Sequence, residues 1–196
     1  AGLAAGVVAT GTVAVDEVSR RAKRLEIYAG DDLVDIALVD VTLTRQLFIA
    51  TRALWDPNEI TEIVLARAEP GSIGMAAIGA CIHPLDACDD LGLHLRLGDG
   101  PTHVLAPVAP GLVASVGIRY THLMVLGAEV VLEQQAGTLA LDGERHLEVF
   151  PGQRFAVRLT RNGPRFVDVQ ACLAEAPRQG AFRTTTVAEA HNGNRS

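Results

Sequence analysis

Gly137-Thr138-Leu139-Ala140-Leu141-Asp142-Gly143-Glu144-Arg145-His146-Leu147-Glu148-Val149-Phe150 decides the reading of this chain. Two short apolar runs, Thr138 to Leu141 and His146 to Phe150, flank Asp142-Gly143-Glu144, and the Asp-Gly pair tolerates the positive φ of a tight reversal. The stretch predicts a β-hairpin. The same rhythm extends outward on both sides. Downstream, Phe155 to Leu159 and Phe166 to Val169 flank Asn162-Gly163-Pro164 and predict another hairpin. Gln170 to Ala176 reads as a helical turn stopped by Pro177, ahead of a polar tail without periodicity.

Upstream, Val130 to Gln134, Leu112 to Leu126, His103 to Pro107 and Leu93 to Leu97 are further β segments. Gly98-Asp99-Gly100-Pro101 reads as the turn between the last two. Leu25 to Tyr28, the turn signal Gly30-Asp31-Asp32, and Leu33 to Leu43 read as a hairpin whose second strand is long and well buried. Helices are few. Ala1 to Ala9 is small and apolar, Asp56-Pro57-Asn58-Glu59 is a helix start with Asp56 set to accept from the Glu59 amide, and Ile73 to Ala80 reads as a short helix. Gly74 and Gly79 there allow close backbone approach. Roughly ten to twelve strands at this spacing predict a mainly β, two-sheet β-sandwich-like domain with a few short helices.

Composition narrows the function. The chain of 196 residues is 48% hydrophobic and 20% charged, too apolar for disorder. Its 17 Lys and Arg against 23 Asp and Glu leave a net charge of −6, which argues against a nucleic-acid partner. No apolar run approaches the roughly 18 residues of a membrane span, so no membrane partner is expected. Aromatic residues make up only 4%, so the core is built from Val, Leu, Ile and Ala. Three cysteines, Cys81, Cys88 and Cys172, without a secretory signal, suggest reduced thiols and a cytoplasmic protein.

Four features could carry chemistry. Cys81, His83, Cys88 and His94 offer zinc ligands, but they lack the paired knuckles of a structural site, and no metal is assigned. Arg20-Arg21-Ala22-Lys23-Arg24 reads as a solvated charged face. Pro70-Gly71-Ser72 precedes a short helix after a strand, where Gly71 permits close approach and Ser72 offers a hydroxyl. Asp40 interrupts the apolar run Ala37 to Leu43, where a carboxylate is costly unless paired or placed at a ligand surface; strand alternation puts it on one face with Leu38 and Thr42. No Gly-x-Ser-x-Gly elbow occurs.

Val34 to Arg45, Pro70-Gly71-Ser72 to Pro84, Leu105 to Pro110 and Thr138 to Leu159 follow one another in an order that resembles the C-terminal half of the NAD kinase family. Closer still is its ATP-NAD kinase-like branch, which includes the acetoin-catabolism protein X group. Gly137 to Arg145, Pro151-Gly152-Gln153-Arg154 and Gly163 to Val169 carry most of the specificity. The resemblance implies the NAD kinase C-terminal domain type over residues 25–176, a helix and lead-in from a missing α/β domain over 1–24, and a flexible tail over 177–196. The family's Gly-Gly-Asp-Gly-Thr motif is absent here, so no catalytic residue is placed in this chain. The intact protein would bind NAD and ATP with Mg and transfer phosphate to a ribose hydroxyl, and the β domain would mediate homo-oligomerisation. The alternative is a non-catalytic nucleotide-binding, regulatory or oligomerisation domain.

Position by position, the family's Asn-acid pair for a ribose falls on Val39-Asp40, and its Gly-Ser-Thr-Ala-Tyr falls on Gly71-Ser72-Ile73-Gly74-Met75. The resemblance therefore assigns dinucleotide contact to Asp40, Gly71, Ser72, Gly74 and Met75. Val39, Ile73 and Met75 replace an amide, a hydroxyl and an aromatic ring, which points to a less polar ligand surface.

Overall fold

The computed structural model describes residues 1–46, 56–132 and 136–183. Two compact units divide them: Ala1–Arg20 together with the described residues from Arg165 on, and Arg21–Pro164.

The first unit holds helix α1 (Gly2–Ala9), the short strand β1 (Ser19–Arg21, whose last residue enters the second unit) and, from the far end of the chain, β12 (Arg165–Val167) and α3 (Val169–Glu175). Ala4, Val7, Val13, Val18, Cys172 and Ala176 form its apolar centre. Asp168 caps α3 by accepting from the Ala171 amide at 2.9 Å. The expected helices at both ends are present. Of the tail beyond Pro177, residues 184–196 lie outside the described residues.

The second unit is built from β2 (Arg24–Ala29), β3 (Asp32–Ala37), β4 (Asp40–Thr44), β5 (Ile60–Leu65), β6 (Leu91–Ala109), β7 (Leu112–Val125), β8 (Glu129–Leu132), β9 (Gly137–Leu141), β10 (Arg145–Val149) and β11 (Phe155–Thr160), with one short helix, α2 (Met75–Ala80). They make an antiparallel six-stranded sheet, β10-β9-β4-β5-β6-β7, and an antiparallel four-stranded sheet, β3-β2-β11-β8. Period-two burial drives the pairing. In β11, Phe155, Val157 and Leu159 point inward while Ala156, Arg158 and Thr160 do not. Leu25, Ile27, Val157 and Leu159 meet Val41, Leu43, Val64, Leu139 and Leu141 between the sheets. The opposite face of the larger sheet, with Ile63, Leu65, Leu93 and Leu95, packs against Ile78 of α2 and Leu85. The architecture is the mainly β, two-sheet one expected.

The Asp142-Gly143-Glu144 hairpin is as read: Arg145 pairs with Leu141 and Val149 with Gly137. Three other readings are corrected. The run Leu33 to Leu43 is not one buried strand but two, β3 and β4, in different sheets, with the chain crossing at Leu38-Val39 and β3 largely exposed at its start. Gly98-Asp99-Gly100-Pro101 is not a turn; it lies inside the 19-residue β6 as an irregularity opposite Ile118. A Cβ on Gly100 would stand 2.1 Å from the Ile118 carbonyl oxygen, so the close approach needs glycine. Asn162-Gly163-Pro164 does not close a hairpin: β11 pairs with β2 and β8, while Gly163 and Pro164 exchange backbone hydrogen bonds with Ala22 at 3.1 and 2.8 Å.

Lys23 corrects the solvated-face reading. Its ammonium is fully buried and donates to the carbonyls of Asp86 (2.8 Å) and Leu91 (2.6 Å) and to Asp89 Oδ1. Burial lowers its pKa below the usual lysine value, against the pull of Asp89. Arg161 reaches the same loop, donating to the carbonyls of Ala87 (3.4 Å), Cys88 (3.0 Å) and Asp89 and to Asp90 Oδ1 (2.7 Å). The 86–91 loop is thus wrapped around two cations from distant parts of the chain.

Candidate functional site

Asp40 opens β4 where the chain crosses from the smaller to the larger sheet. The crossing leaves the amides of residues 38–40 outside any ladder, and the Asp142 carboxylate takes them. Leu38 donates to it at 2.9 Å, Val39 at 2.7 Å and Asp40 at 3.2 Å. Asp142 itself sits at φ +53°, and its amide returns a bond to the Asp40 carbonyl at 3.0 Å. Arg145, three residues on, donates to Asp35 Oδ1 at 2.5 Å and to the Ile36 carbonyl at 2.6 Å. The hairpin that decides the fold therefore also clamps the crossover and fixes Asp40.

The Asp40 side chain lies on the α2 side of the sheet, because it pairs with Leu65 and precedes Thr42 by one alternation. Thr42 Oγ1 donates to Asp40 Oδ2 at 3.0 Å. Burial pushes the Asp40 carboxyl up to about 6; the Thr42 bond opposes the rise, and the Asp142 charge adds to it. Asp40 is thus an acceptor held in place at the sheet's end but only partly satisfied by the protein.

The second segment stands ahead of α2, which packs on β4, β5 and β6. Glu69-Pro70-Gly71-Ser72 is a turn closed by the Ser72 amide on the Glu69 carbonyl at 3.1 Å, with Gly71 at φ +85°. The helix begins at Met75, not Ile73. Its N-cap is Gly74 at φ +88°, and the Gly74 amide bonds the Pro107 carbonyl at 3.0 Å. A Cβ on Gly71 or Gly74 would meet open space, so both are required for their backbone angles rather than for close approach within this chain. Gly79 does serve close approach: a Cβ there would lie 2.2 Å from Leu65 Cδ1. Met75 and Val39 pack on the same apolar cluster, and Ile73 is exposed. The structure thus places Val39, next to Asp40, and Met75, next to Gly74, against one core. Ser72 makes no side-chain hydrogen bond among the described residues, and its backbone amide is already engaged.

The zinc constellation disperses. Cys81 Sγ donates to the Leu105 carbonyl at 3.5 Å, the His83 ring nitrogen lies 3.1 Å from the Pro84 carbonyl, and His94 Nε2 is 2.7 Å from Glu62 Oε2. Among the described residues no three His, Cys, Asp or Glu side chains converge on a metal position. At the short helical turn Pro57–Glu59, Asp56 accepts from the Asn58 amide at 2.9 Å rather than from Glu59.

Sequence reasoning missed Asp142 as part of the site. Its Asp-Gly context was already explained by the hairpin, and its partners lie about a hundred residues away.

No described helix is long and apolar enough to cross a membrane. The acetoin catabolism protein X C-terminal domain profile matches residues 23–162. The acetoin catabolism protein X of Cupriavidus necator is 33% identical over 190 residues, which cover 93% of this chain and 53% of that protein. The chain spans about half the length of the curated relative it matches. With the domain profile covering most of the β unit and the relative aligned along nearly the whole chain, the chain belongs to the acetoin catabolism protein X C-terminal domain family.

Proposed function

We propose that this domain forms one wall of a nucleotide site in a longer protein linked to acetoin catabolism, and that Asp40 accepts a ribose hydroxyl of the bound ligand. The observation that carries the reading is a carboxylate kept half-buried with its pKa raised to about 6, where an uncharged residue would be more stable. The resemblance assigns Gly71, Ser72, Gly74 and Met75 to the same wall, and the packing of Met75 and Val39 on one apolar cluster supports that assignment. The donor set fits a ribose only on one side, since Val39 offers no side-chain hydrogen bond to pair with Asp40. By the resemblance, NAD or a related acceptor occupies the site, and ATP with Mg is held by the other half of the protein, to which phosphoryl transfer is assigned. This chain's own part is binding and orientation.

Asp40→Asn tests this twice. The folded protein holds the Asp40 proton more tightly than the unfolded chain does. Stability therefore falls as pH rises from about 4 to about 6 and stays lower above that range. The expected gain for Asn at pH 7.5 is up to about 3 kcal/mol, from roughly two pKa units. It should vanish near pH 3.5 in urea titrations. In the same variant of the longest natural chain, NAD affinity measured by calorimetry should drop at least tenfold. A more stable variant with unchanged NAD affinity removes Asp40 from the site. Turnover of ATP and NAD to NADP, followed in parallel, separates a working kinase from a binding domain.

β7 ends the larger sheet among the described residues, and its exposed Val113, Leu123 and Val125 favour a second role as an oligomer face. Leu123→Lys should then lower the mass seen by sedimentation at equal protein concentration, and an unchanged mass rejects that face.

A further inference from the structure

On the face of the larger sheet opposite Asp40, the irregularity in β6 opens a two-lobed cavity. One lobe measures about 620 Å³ and the other about 390 Å³, each of a size that holds a small metabolite. Arg45, Leu97 and Arg119 line both lobes, so two arginine side chains border each of them.

The strand registers explain the convergence. Arg96 pairs with Glu62 on one side and with Tyr120 on the other, which puts all three on the face that carries Leu43. The irregularity, shared between 97–102 and Arg119, restores the same face for His103 and Gly117. Arg119 lies across Gly98: a Cβ there would be 2.9 Å from Arg119 Cδ. His103 Nε2 would be 3.3 Å from a Cβ on Gly117. Both side chains are therefore held against the same pinched glycine pair. Arg45 is fixed from the opposite wall by its bond to the Asn58 carbonyl at 3.2 Å.

Two carboxylates also line the cavity, one in each lobe. Glu62 is already bound, by His94 at 2.7 Å and Arg96 at 3.4 Å. Asp99 lies in the larger lobe with Ser115 and His103, a set suited to hydroxyl groups. In a chain of net charge −6, two arginines shared by both lobes point to an anion site with a hydroxylated neighbour.

We propose that this cavity binds a phosphorylated, hydroxylated small molecule, its phosphate between Arg45 and Arg119 and its hydroxyls against Asp99 and Ser115. The site is independent of the Asp40 wall, which lies on the other face of the sheet.

Calorimetric titration of the longest natural chain with ribose 5-phosphate, ribose and orthophosphate at low salt tests it. Ribose 5-phosphate should bind, orthophosphate more weakly, and ribose not measurably. Arg119→Gln, at an exposed position, should weaken ribose 5-phosphate at least tenfold, and Asp40→Asn should leave it unchanged. No binding of ribose 5-phosphate, equal binding by Arg119→Gln, or ribose binding as well as its phosphate each overturns the proposal. Loss in Asp40→Asn with Arg119→Gln unaffected assigns the sugar phosphate to the Asp40 wall instead, which overturns this proposal and leaves the first standing.

Discussion

Asp142→Ala is expected to destabilise the β unit by about 3 kcal/mol, because three consecutive amides lose their one acceptor. Alanine also adopts φ +53° less readily than aspartate, which adds to the loss. For a chain of this length the melting temperature should fall by roughly 10 °C. Asp142→Asn is the informative control. It keeps a carbonyl acceptor and tolerates the positive φ, so it should lose about 1 kcal/mol or less. It also removes the negative charge that helps raise the Asp40 pKa, so that value should move down, readable by carboxylate NMR. If Ala and Asn behave alike in thermal melts, the amides of residues 38–40 find water instead, and the clamp contributes little.

Lys23→Met should cost about 3–5 kcal/mol, the loss expected when one member of a buried charged set is removed. Methionine matches the length of the stem but leaves the Asp86 and Leu91 carbonyls and the Asp89 carboxylate facing an apolar side chain. The effect should be local first: limited proteolysis should cut within 86–91 before the rest of the β unit opens. A melting temperature within 2 °C of the native protein, with no new cleavage, would mean that Arg161 alone suffices to hold the loop.

What the sequence made legible follows from distance along the chain. The Thr138 to Val149 hairpin was readable because strand, turn and strand are contiguous and each obeys local rules. The break at Leu38-Val39 was not: Asp40 interrupts the run there, but the acceptor that stabilises the crossing, Asp142, lies about a hundred residues on. Gly98-Asp99-Gly100-Pro101 carries every local mark of a turn. The pairing of β6 with β7 overrides them, and Gly100 serves close approach to Ile118 and Gly98 to the Arg119 side chain instead. Asp40 stood out as a charge in an apolar run, and the structure gives that charge its surroundings: burial, Thr42 and Asp142. Arg45 and Arg119 gave no signal, because each is isolated in sequence and only the bulged register brings them to one cavity.

The 86–91 loop carries a consequence for the order in which the protein assembles. Its two internal counter-ions come from Lys23, more than sixty residues earlier, and from Arg161, more than seventy residues later. During synthesis the loop leaves the ribosome with only the first of these available, and the second arrives when nearly all of the β unit has been made. Closure of the loop is therefore a late event in folding, and its amides should exchange with solvent until the last strand of the smaller sheet has docked.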